Sequence, residues 1–180
     1  MKSNILKASL ISVICLLFLI SVVSADNTTS DDQSVLTLSR GGLSISYPSD
    51  WGFSEAKSNY SIMAISKLSS IDSSGVGQVN INFEKKPLEG DLETFVNSTY
   101  SAMQNDSSFE LVSSGGVVVG DKNALEFVYT TNDNNNEKEH KAVWFEKGGQ
   151  AYVILYSAPT DDFESNLYVF DYILSNIQIT

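Results

Sequence analysis

His140 is the only histidine in the chain, so acid–base catalysis by an imidazole would have to use it. A serine–histidine–aspartate triad needs such a base, but the sequence contains no G-x-S-x-G nucleophile motif. A zinc site needs three or four ligands, and one histidine does not supply them. His140 falls beside Glu139 in a predicted strand, which favours an ordinary strand histidine. The sequence therefore predicts no catalytic residue.

The spacing of Asp133, Asn135 and Glu137 matches the first three ligand positions of a calcium-binding loop. Such a loop has glycine at its sixth position and glutamate at its twelfth, whereas this chain has Lys138 and Trp144 there. The pattern therefore favours a plain turn, with calcium binding as the alternative.

Gly75-Val76-Gly77 is a G-x-G segment of the kind that cradles a dinucleotide phosphate. No third glycine follows it and no helix begins after it, so the segment predicts a loop. Neither a metal nor a cofactor is expected.

Carboxylates and aromatic rings are the remaining groups that could form a site. Paired carboxylates could hydrolyse a glycosidic bond, but their separation is a three-dimensional fact. The acidic cluster Asp161, Asp162 and Glu164 is explained by helix capping, as Asp161 and Glu164 have the spacing of a capping box. Three aromatic residues could form a binding surface, although such residues more often lie in the core under a helix: Trp144, Tyr152 and Tyr156.

Four N-x-S/T sequons make several asparagines candidate glycosylation sites in an exported protein: Asn27, Asn59, Asn97 and Asn105. A chain rich in serine, threonine and asparagine forms sequons by chance, so each one is weak support on its own.

The N-terminus has the pattern of a secretory signal peptide over residues 1–25. Lys2 and Lys7 precede an apolar run from Ala8 to Val23, and small residues stand at positions −3 and −1 of a cleavage site after Ala25. This pattern places the mature protein outside the cytoplasm, secreted or at the cell surface.

The apolar run is slightly long for a signal peptide, so an uncleaved membrane anchor is the alternative. Cys15 is the only cysteine and falls within this run, which leaves the mature chain without thiol or disulfide chemistry. Residues 26–34 are polar without an apolar period and predict a tether to the domain at 35–180.

The chain is strongly acidic. It has 180 residues with 11 basic and 22 acidic side chains, a net charge of −11. Loss of Lys2 and Lys7 with the signal peptide would leave a net charge of −13. Nucleic acid and anionic lipid are poor partners for such a surface. Contact with a membrane is therefore expected only through an uncleaved N-terminal segment.

The predicted domain is organised around the stretch from Gly41 to Trp51. Gly41-Gly42 predicts a tight turn, Pro48 ends the following strand, and Trp51 is placed to cover the end of the core. The apolar face of that strand is formed by alternate residues: Leu43, Ile45 and Tyr47.

Further short apolar runs predict strands at Val35 to Ser39, Tyr60 to Leu68, Gln78 to Lys85, Phe109 to Ser113, Ala124 to Thr131, Lys138 to Lys147 and Gln150 to Ala158. Phe53 to Asn59, Gly115-Gly116 and Asn132 to Asn136 are expected to be loops or turns. Ile177 and Ile179 alternate as a terminal strand or tail.

Two helices are predicted. One begins at Asp91 and ends near Asp106, and the other follows Asp161. Their apolar stripes are Leu92, Phe95, Val96, Thr99, Tyr100 and Met103 in the first, and Phe163, Leu167, Phe170 and Leu174 in the second. Short turns between consecutive strands require antiparallel pairing, so the expected fold is α+β, with one twisted antiparallel sheet and helices packed on it.

The chain resembles the PsbP-like family through the segment from Ile45 to Trp51, the helix from Asp91 to Asp106, and Gly120 to Ala124 leading into the strand Leu125 to Tyr129. The resemblance covers about Leu43 to Thr180. It implies the α/β/α sandwich of the PsbP, DcrB and LpqN type, in an exported archaeal or bacterial member, and a binding or assembly role. It transfers no metal-ligand motif to this sequence.

The resulting functional hypothesis is an exported, non-catalytic binding or assembly module of the cell envelope. Its partner would be another envelope protein or a small ligand. The loops Ser69 to Gly77 and Thr131 to Glu137 are the expected contact surfaces, because loops on a rigid sheet commonly carry recognition; the alternative for either loop is a plain solvated turn. The alternative is a carboxylate-based hydrolase of the cell surface, which would require two facing carboxylates in a deep pocket.

Export is predicted to remove residues 1–25, so that the mature protein begins at Asp26. Mass spectrometry of the N-terminus, on protein from the native host, is expected to show this end. An intact Met1 to Ala25 segment on membrane-bound protein would show instead that the segment is an anchor.

Overall fold

The computed structural model describes residues 34–54, 59–133 and 136–180. The predicted signal peptide and all of the predicted tether except Ser34 lie outside these residues. Ser34 and the described residues that follow it belong to one compact unit.

Most strands form one seven-stranded antiparallel sheet. In spatial order its strands are β3 (Trp51–Ser54), β4 (Ser61–Lys67), β5 (Asn80–Pro87), β9 (Gln150–Pro159), β8 (Asn136–Lys147), β7 (Lys122–Asp133) and β6 (Phe109–Val119). The three hairpins from β6 to β9 have turns too short for any other pairing, which confirms the antiparallel arrangement predicted from the sequence.

The first two strands form a second, smaller sheet with the C-terminus. β1 (Val35–Arg40) pairs with β2 (Leu43–Pro48), and β10 (Gln178–Ile179) pairs with the other side of β2. Gly41 and Gly42, with φ of 62° and 83°, make the tight turn that the sequence predicted. The expectation of a single sheet is wrong in this respect, because Pro48 and the turn after it separate β2 from β3.

Two helices cover the large sheet, and the α+β class is confirmed. α1 (Leu92–Met103) packs on one face, where its Val96 and Tyr100 are buried in one cluster with Trp144 of β8. α2 (Thr160–Asn176) packs on the other face and against β2. A 3-10 turn, Leu68–Ser70, follows β4.

The N-cap predicted from the sequence is confirmed for α1 and is wrong for α2. The Asp91 side chain accepts a hydrogen bond from the Thr94 backbone N–H at 2.8 Å, as expected of an N-cap. At α2 the cap position is Pro159, without a side-chain cap, because the helix begins directly at the end of β9. The predicted capping box of Asp161 and Glu164 is therefore wrong: Asp161 lies inside the first turn, where its charge still suits the helix dipole.

The bounds of four strands also differ from the predicted ones. β6 continues through Gly115-Gly116 to Val119, because neither glycine adopts a positive φ and both pair with β7. Residues Trp51–Ser54 form a strand where a loop was expected from Phe53, because they pair with β4. β7 continues to Asp133 and β8 begins at Asn136, so the loop between them is shorter than predicted.

Trp51 is buried as predicted, with 1% of its surface exposed, among the core residues on the α2 face. Trp51→Ala is expected to lower the free energy of unfolding by about 3–5 kcal/mol, because it leaves a large cavity in that core. Urea denaturation measures this loss. The matched control is Phe53→Ala on the same strand, whose side chain is 47% exposed. If both variants unfold at the same urea concentration, Trp51 does not anchor this core.

Candidate functional site

A groove of about 640 Å³ opens between α1 and the end of β5. Its walls combine aromatic, charged and hydroxyl side chains: Tyr60, Lys86, Pro87, Glu89, Thr94, Phe95, Ser98 and Thr99. We call it the α1–β5 groove. β5 ends at Pro87, which has no N–H for a ladder, and Pro87 and Glu89 just beyond it line the groove.

The groove is lined by two charged side chains, Lys86 and Glu89, and the Lys86 ammonium lies against aromatic rings. Its nitrogen lies 5.6 Å from the centre of the Tyr60 ring and 5.5 Å from that of Trp144. The same nitrogen lies 3.1 Å from the Glu84 carboxylate. Cation–π contacts and the ion pair together fix the lysine end, so the groove presents an ordered cation.

The side of the groove formed by α1 carries two hydroxyl groups that already donate hydrogen bonds to backbone carbonyls of the same helix. Ser98 Oγ donates to the Thr94 carbonyl at 2.8 Å and Thr99 Oγ1 donates to the Phe95 carbonyl at 3.0 Å. Their oxygen lone pairs remain able to accept hydrogen bonds. Phe95 packs edge-on against Trp144, with ring centres 6.1 Å apart. This combination of aromatic faces, acceptors and one cation can bind a ligand and has no nucleophile–base pair.

His140 of β8 is half-buried, with a hydroxyl at each ring nitrogen. Nε2 is 2.9 Å from Thr131 Oγ1, and Nδ1 is 2.8 Å from Ser157 Oγ. The ring stacks on Tyr129 with centres 4.7 Å apart. Burial, together with the charge of Lys138, lowers the pKa of His140 from 6.5 to about 4. No carboxylate orients the imidazole, and a base with this pKa is weak, so the arrangement is a structural hydrogen-bond chain.

Two carboxylates do share one pocket, on the α2 face, but a lysine lies between them. Lys141 Nζ is 3.2 Å from Glu126 Oε2 and 3.7 Å from Asp171 Oδ1. The pocket, of about 310 Å³, is otherwise lined mainly by Val117, Val118 and Leu174. A glycosidase needs its substrate between the two carboxylates, and here the ammonium occupies that place. The cluster is an ion-pair network that joins α2 to the sheet.

The predicted alternative of a calcium-binding loop at Asp133, Asn135 and Glu137 falls partly on residues that the structure does not describe. The Asp133 side chain and all of Asn135 are not among the described groups, while Glu137 is exposed. Within residues 34–54, 59–133 and 136–180, no group of three or more histidine, cysteine, aspartate or glutamate side chains is placed to hold a metal ion.

The predicted contact loop from Ser69 to Gly77 is closed by Asp72. Its carboxylate accepts from the Ser74 hydroxyl at 2.6 Å, from the Val76 N–H at 3.1 Å and from the Gln78 amide at 2.6 Å. These bonds, that from Ser74 first, lower the pKa of Asp72 to about 2. The Asp72 carboxylate therefore stabilises the conformation of its own loop.

The predicted aromatic surface lies in the core, as its alternative interpretation held. Trp144, Tyr152 and Tyr156 are 4%, 4% and 0% exposed. Trp144 Nε1 donates to the Tyr100 hydroxyl at 3.1 Å, and Tyr156 donates to the Phe163 carbonyl at 2.7 Å. Trp144 reaches a surface site only through its contact with Lys86.

Three of the four sequon asparagines lie on the surface. Asn59, Asn97 and Asn105 are exposed, in a turn, on α1 and just after α1, while Asn27 lies outside the described residues. Their glycosylation stays a prediction.

The groove residues Tyr60, Lys86 and Phe95 were not singled out from the sequence. Phe95 belongs to the predicted apolar stripe of α1, and the lysines before Pro87 mark a strand end, but nothing in their spacing places them around one space. The pairing of β4 with β5 and the packing of α1 on β8 bring them together.

A two-sided antiparallel sheet with a ligand-sized groove beside one covering helix defines an α+β protein with a surface suited to binding. The match to a known family agrees with this class. The family described as PsbP-like protein matches residues 6–177, and the chain belongs to it.

Two solved structures illustrate the shared fold. Cyanobacterial PsbP, CyanoP, from Synechocystis sp. PCC 6803 is 16% identical with a TM-score of 0.59, covering 84% of this chain and 96% of its own. LpqN of Mycobacterium tuberculosis, described as involved in cell envelope biogenesis, is 13% identical with a TM-score of 0.57, covering 82% of this chain and 91% of its own. No curated protein sequence matches the chain significantly.

The lowered pKa of His140 predicts a pH-dependent contribution to stability. The unfolded chain takes up the proton near pH 6.5 and the folded chain only near pH 4, so the contribution is complete above about 6.5 and falls as the pH drops towards 4. Between these two pH values the contribution of His140 to the free energy of unfolding falls by at most about 1.4 kcal/mol per pH unit. Urea denaturation of the wild type and His140→Gln between these pH values measures it. Identical pH slopes for the two proteins would contradict a buried neutral imidazole.

Proposed function

We propose that the chain is an exported, non-catalytic binding or assembly module of the cell envelope that recognises its partner at the α1–β5 groove. The observation that carries the proposal is the fixed Lys86 ammonium between the Tyr60 and Trp144 rings. A cation held by its own protein loses little side-chain entropy when a partner binds, so this site is preorganised for recognition.

The chemistry of the groove favours binding over turnover. Its helical hydroxyls can accept hydrogen bonds, and its aromatic faces can pack against apolar parts of a partner. Glu89 is the carboxylate in its lining, and Glu84, outside the lining, is paired with Lys86. Membership of a family that is generally non-enzymatic supports the same conclusion. The partner would be another envelope protein or a small ligand, and the acidic surface argues against nucleic acid.

The envelope location rests on the signal-peptide pattern of residues 1–25. Among the described residues, no helix has the length and apolar character to span a bilayer. LpqN shares the fold and is described as involved in cell envelope biogenesis, which makes an envelope role a reasonable expectation for this chain.

Site-specific photo-crosslinking in the native host tests the groove. A photoreactive amino acid replaces Ser98, which lines the groove, or Ser101, which is exposed on the same helix and does not line it. A discrete adduct at 98 that is absent at 101 is expected. Filling the groove with Thr94→Trp should prevent the same adduct when the probe stays at 98. Equal labelling at both positions, or none, would contradict the groove as the recognition site.

A hydrolase screen on the purified protein tests the non-catalytic part. No turnover of ester, peptide or glycoside substrates is expected. Activity that is lost in Glu126→Gln or Asp171→Asn, and kept in His140→Gln, would instead establish the carboxylate-based hydrolase.

A further inference from the structure

The outer edge of β6 is the longest open strand edge in the part of the chain that the structure describes. β6 has 11 residues and is the last strand of the large sheet. From Leu111 to Val119 its sequence LVSSGGVVV contains neither a charged residue nor a proline. Proteins usually protect such edges with lysine, proline or very short strands. The exposed edge of β6 has none of these along this stretch.

A bulge limits the regular part of the edge. The pairing with β7 shifts register between Leu111 and Ser113, and from Ser113 to Val119 every residue has a partner on β7. A bulge bends the strand and ends regular pairing, so only the stretch of residues 113–119 can accept another straight strand.

The turn after β6 determines which backbone groups face outward. Val119 and Lys122 flank a two-residue turn, and in such a hairpin the flanking pair is hydrogen-bonded. Alternation along the ladder then directs the N–H and C=O groups of every second residue away from β7. These residues are Ser114, Gly116 and Val118.

This outward set is symmetric about its own centre. Gly116 is the midpoint of residues 113–119, and Ser114 and Val118 stand at equal distances on either side. A second copy of the strand can pair with it in antiparallel orientation about a two-fold axis at Gly116. The outward N–H and C=O groups of all three residues then find hydrogen-bond partners at once. Gly116 has no side chain, and the space where a Cβ would stand on the face of the sheet is open, so no side chain crowds the two-fold axis there.

Charge and exposure select the same partner. The chain has a net charge of −11, so two copies repel each other over most of their surfaces. The edge from Leu111 to Val119 carries no charge, and contact between two such edges is free of this repulsion at the point of contact. Val118 is the most exposed large hydrophobic residue described, at 65%, and pairing would cover it.

We propose that the chain forms a two-fold symmetric dimer through antiparallel pairing of β6 with β6 of a second copy, with Ser114 of one copy opposite Val118 of the other. The pairing joins two seven-stranded sheets into one continuous sheet and uses the β6 edge of both copies, so assembly through this edge stops at two copies. A contact of seven residues per strand is smaller than a standard interface of about 800 Å² per partner, which makes the dimer reversible.

Cysteine cross-linking tests the register. In the full chain with Cys15→Ser, Gly116→Cys places one thiol beside its copy across the axis, at a separation that a disulfide can span. Mild oxidation is expected to link Gly116→Cys alone. Ser114→Cys alone should not link, whereas a mixture of Ser114→Cys and Val118→Cys should. Linking of Ser114→Cys to itself, or no link in the mixture, would overturn the proposed register.

Sedimentation equilibrium from micromolar to sub-millimolar concentration tests the dimer itself without a cysteine. The wild type is expected to dimerise, and Val118→Lys should weaken the dimer at least about tenfold, because a lysine on an edge strand disfavours pairing. The matched control Leu36→Lys adds the same charge at another exposed strand residue and should leave the dimer unchanged. A wild type that stays monomeric, forms larger assemblies, or dimerises equally with Val118→Lys would overturn the proposal.

Discussion

The burial of β8 and β9 on both faces is the constraint on which the rest of the structure depends. Successive residues of β8 alternate between two cores: Val143 and Phe145 face α2, while Ala142 and Trp144 face α1. A strand that is apolar on both sides must be covered twice. α1 covers one face, and α2 with the small sheet covers the other, so two helices and a second sheet follow from one pair of strands.

The α1–β5 groove is a consequence of this double burial. Trp144 is held by α1 through the Tyr100 hydroxyl and the Phe95 ring, so its face has a fixed position beside β5. Lys86 contacts that face from the end of β5 and thereby receives a defined place at the surface. The groove therefore depends on the core for its geometry, and a change at Trp144 would alter both the packing of the core and the position of Lys86 in the groove.

Local chemistry explains what could be predicted from the sequence. Short turns gave the antiparallel order, the spacing of Val96 and Tyr100 gave the buried face of α1, and Trp51 follows a strand whose alternation pointed into the core. The small sheet was missed because the pairing of β10 with β2 joins residues more than 130 positions apart. β6 was predicted too short because glycine pairs usually mark turns, while pairing with β7 keeps these glycines extended. The groove is lined by residues from three separate segments of the chain. The spacing of apolar residues within one segment cannot predict which other segments lie next to it in the fold.

His140 shows how the same packing removes reactivity from the one residue best suited to chemistry. Its ring is enclosed by strands on which Thr131 and Ser157 supply hydroxyls, and a hydroxyl can donate or accept, so either neutral tautomer is satisfied. A protonated ring would leave a charge inside the sheet without a carboxylate partner, which is why burial lowers its pKa. A catalytic histidine needs a carboxylate on one side and access to substrate on the other. Among the described residues, the contacts of the His140 ring nitrogens are the two hydroxyls, and the sheet places no carboxylate on the imidazole.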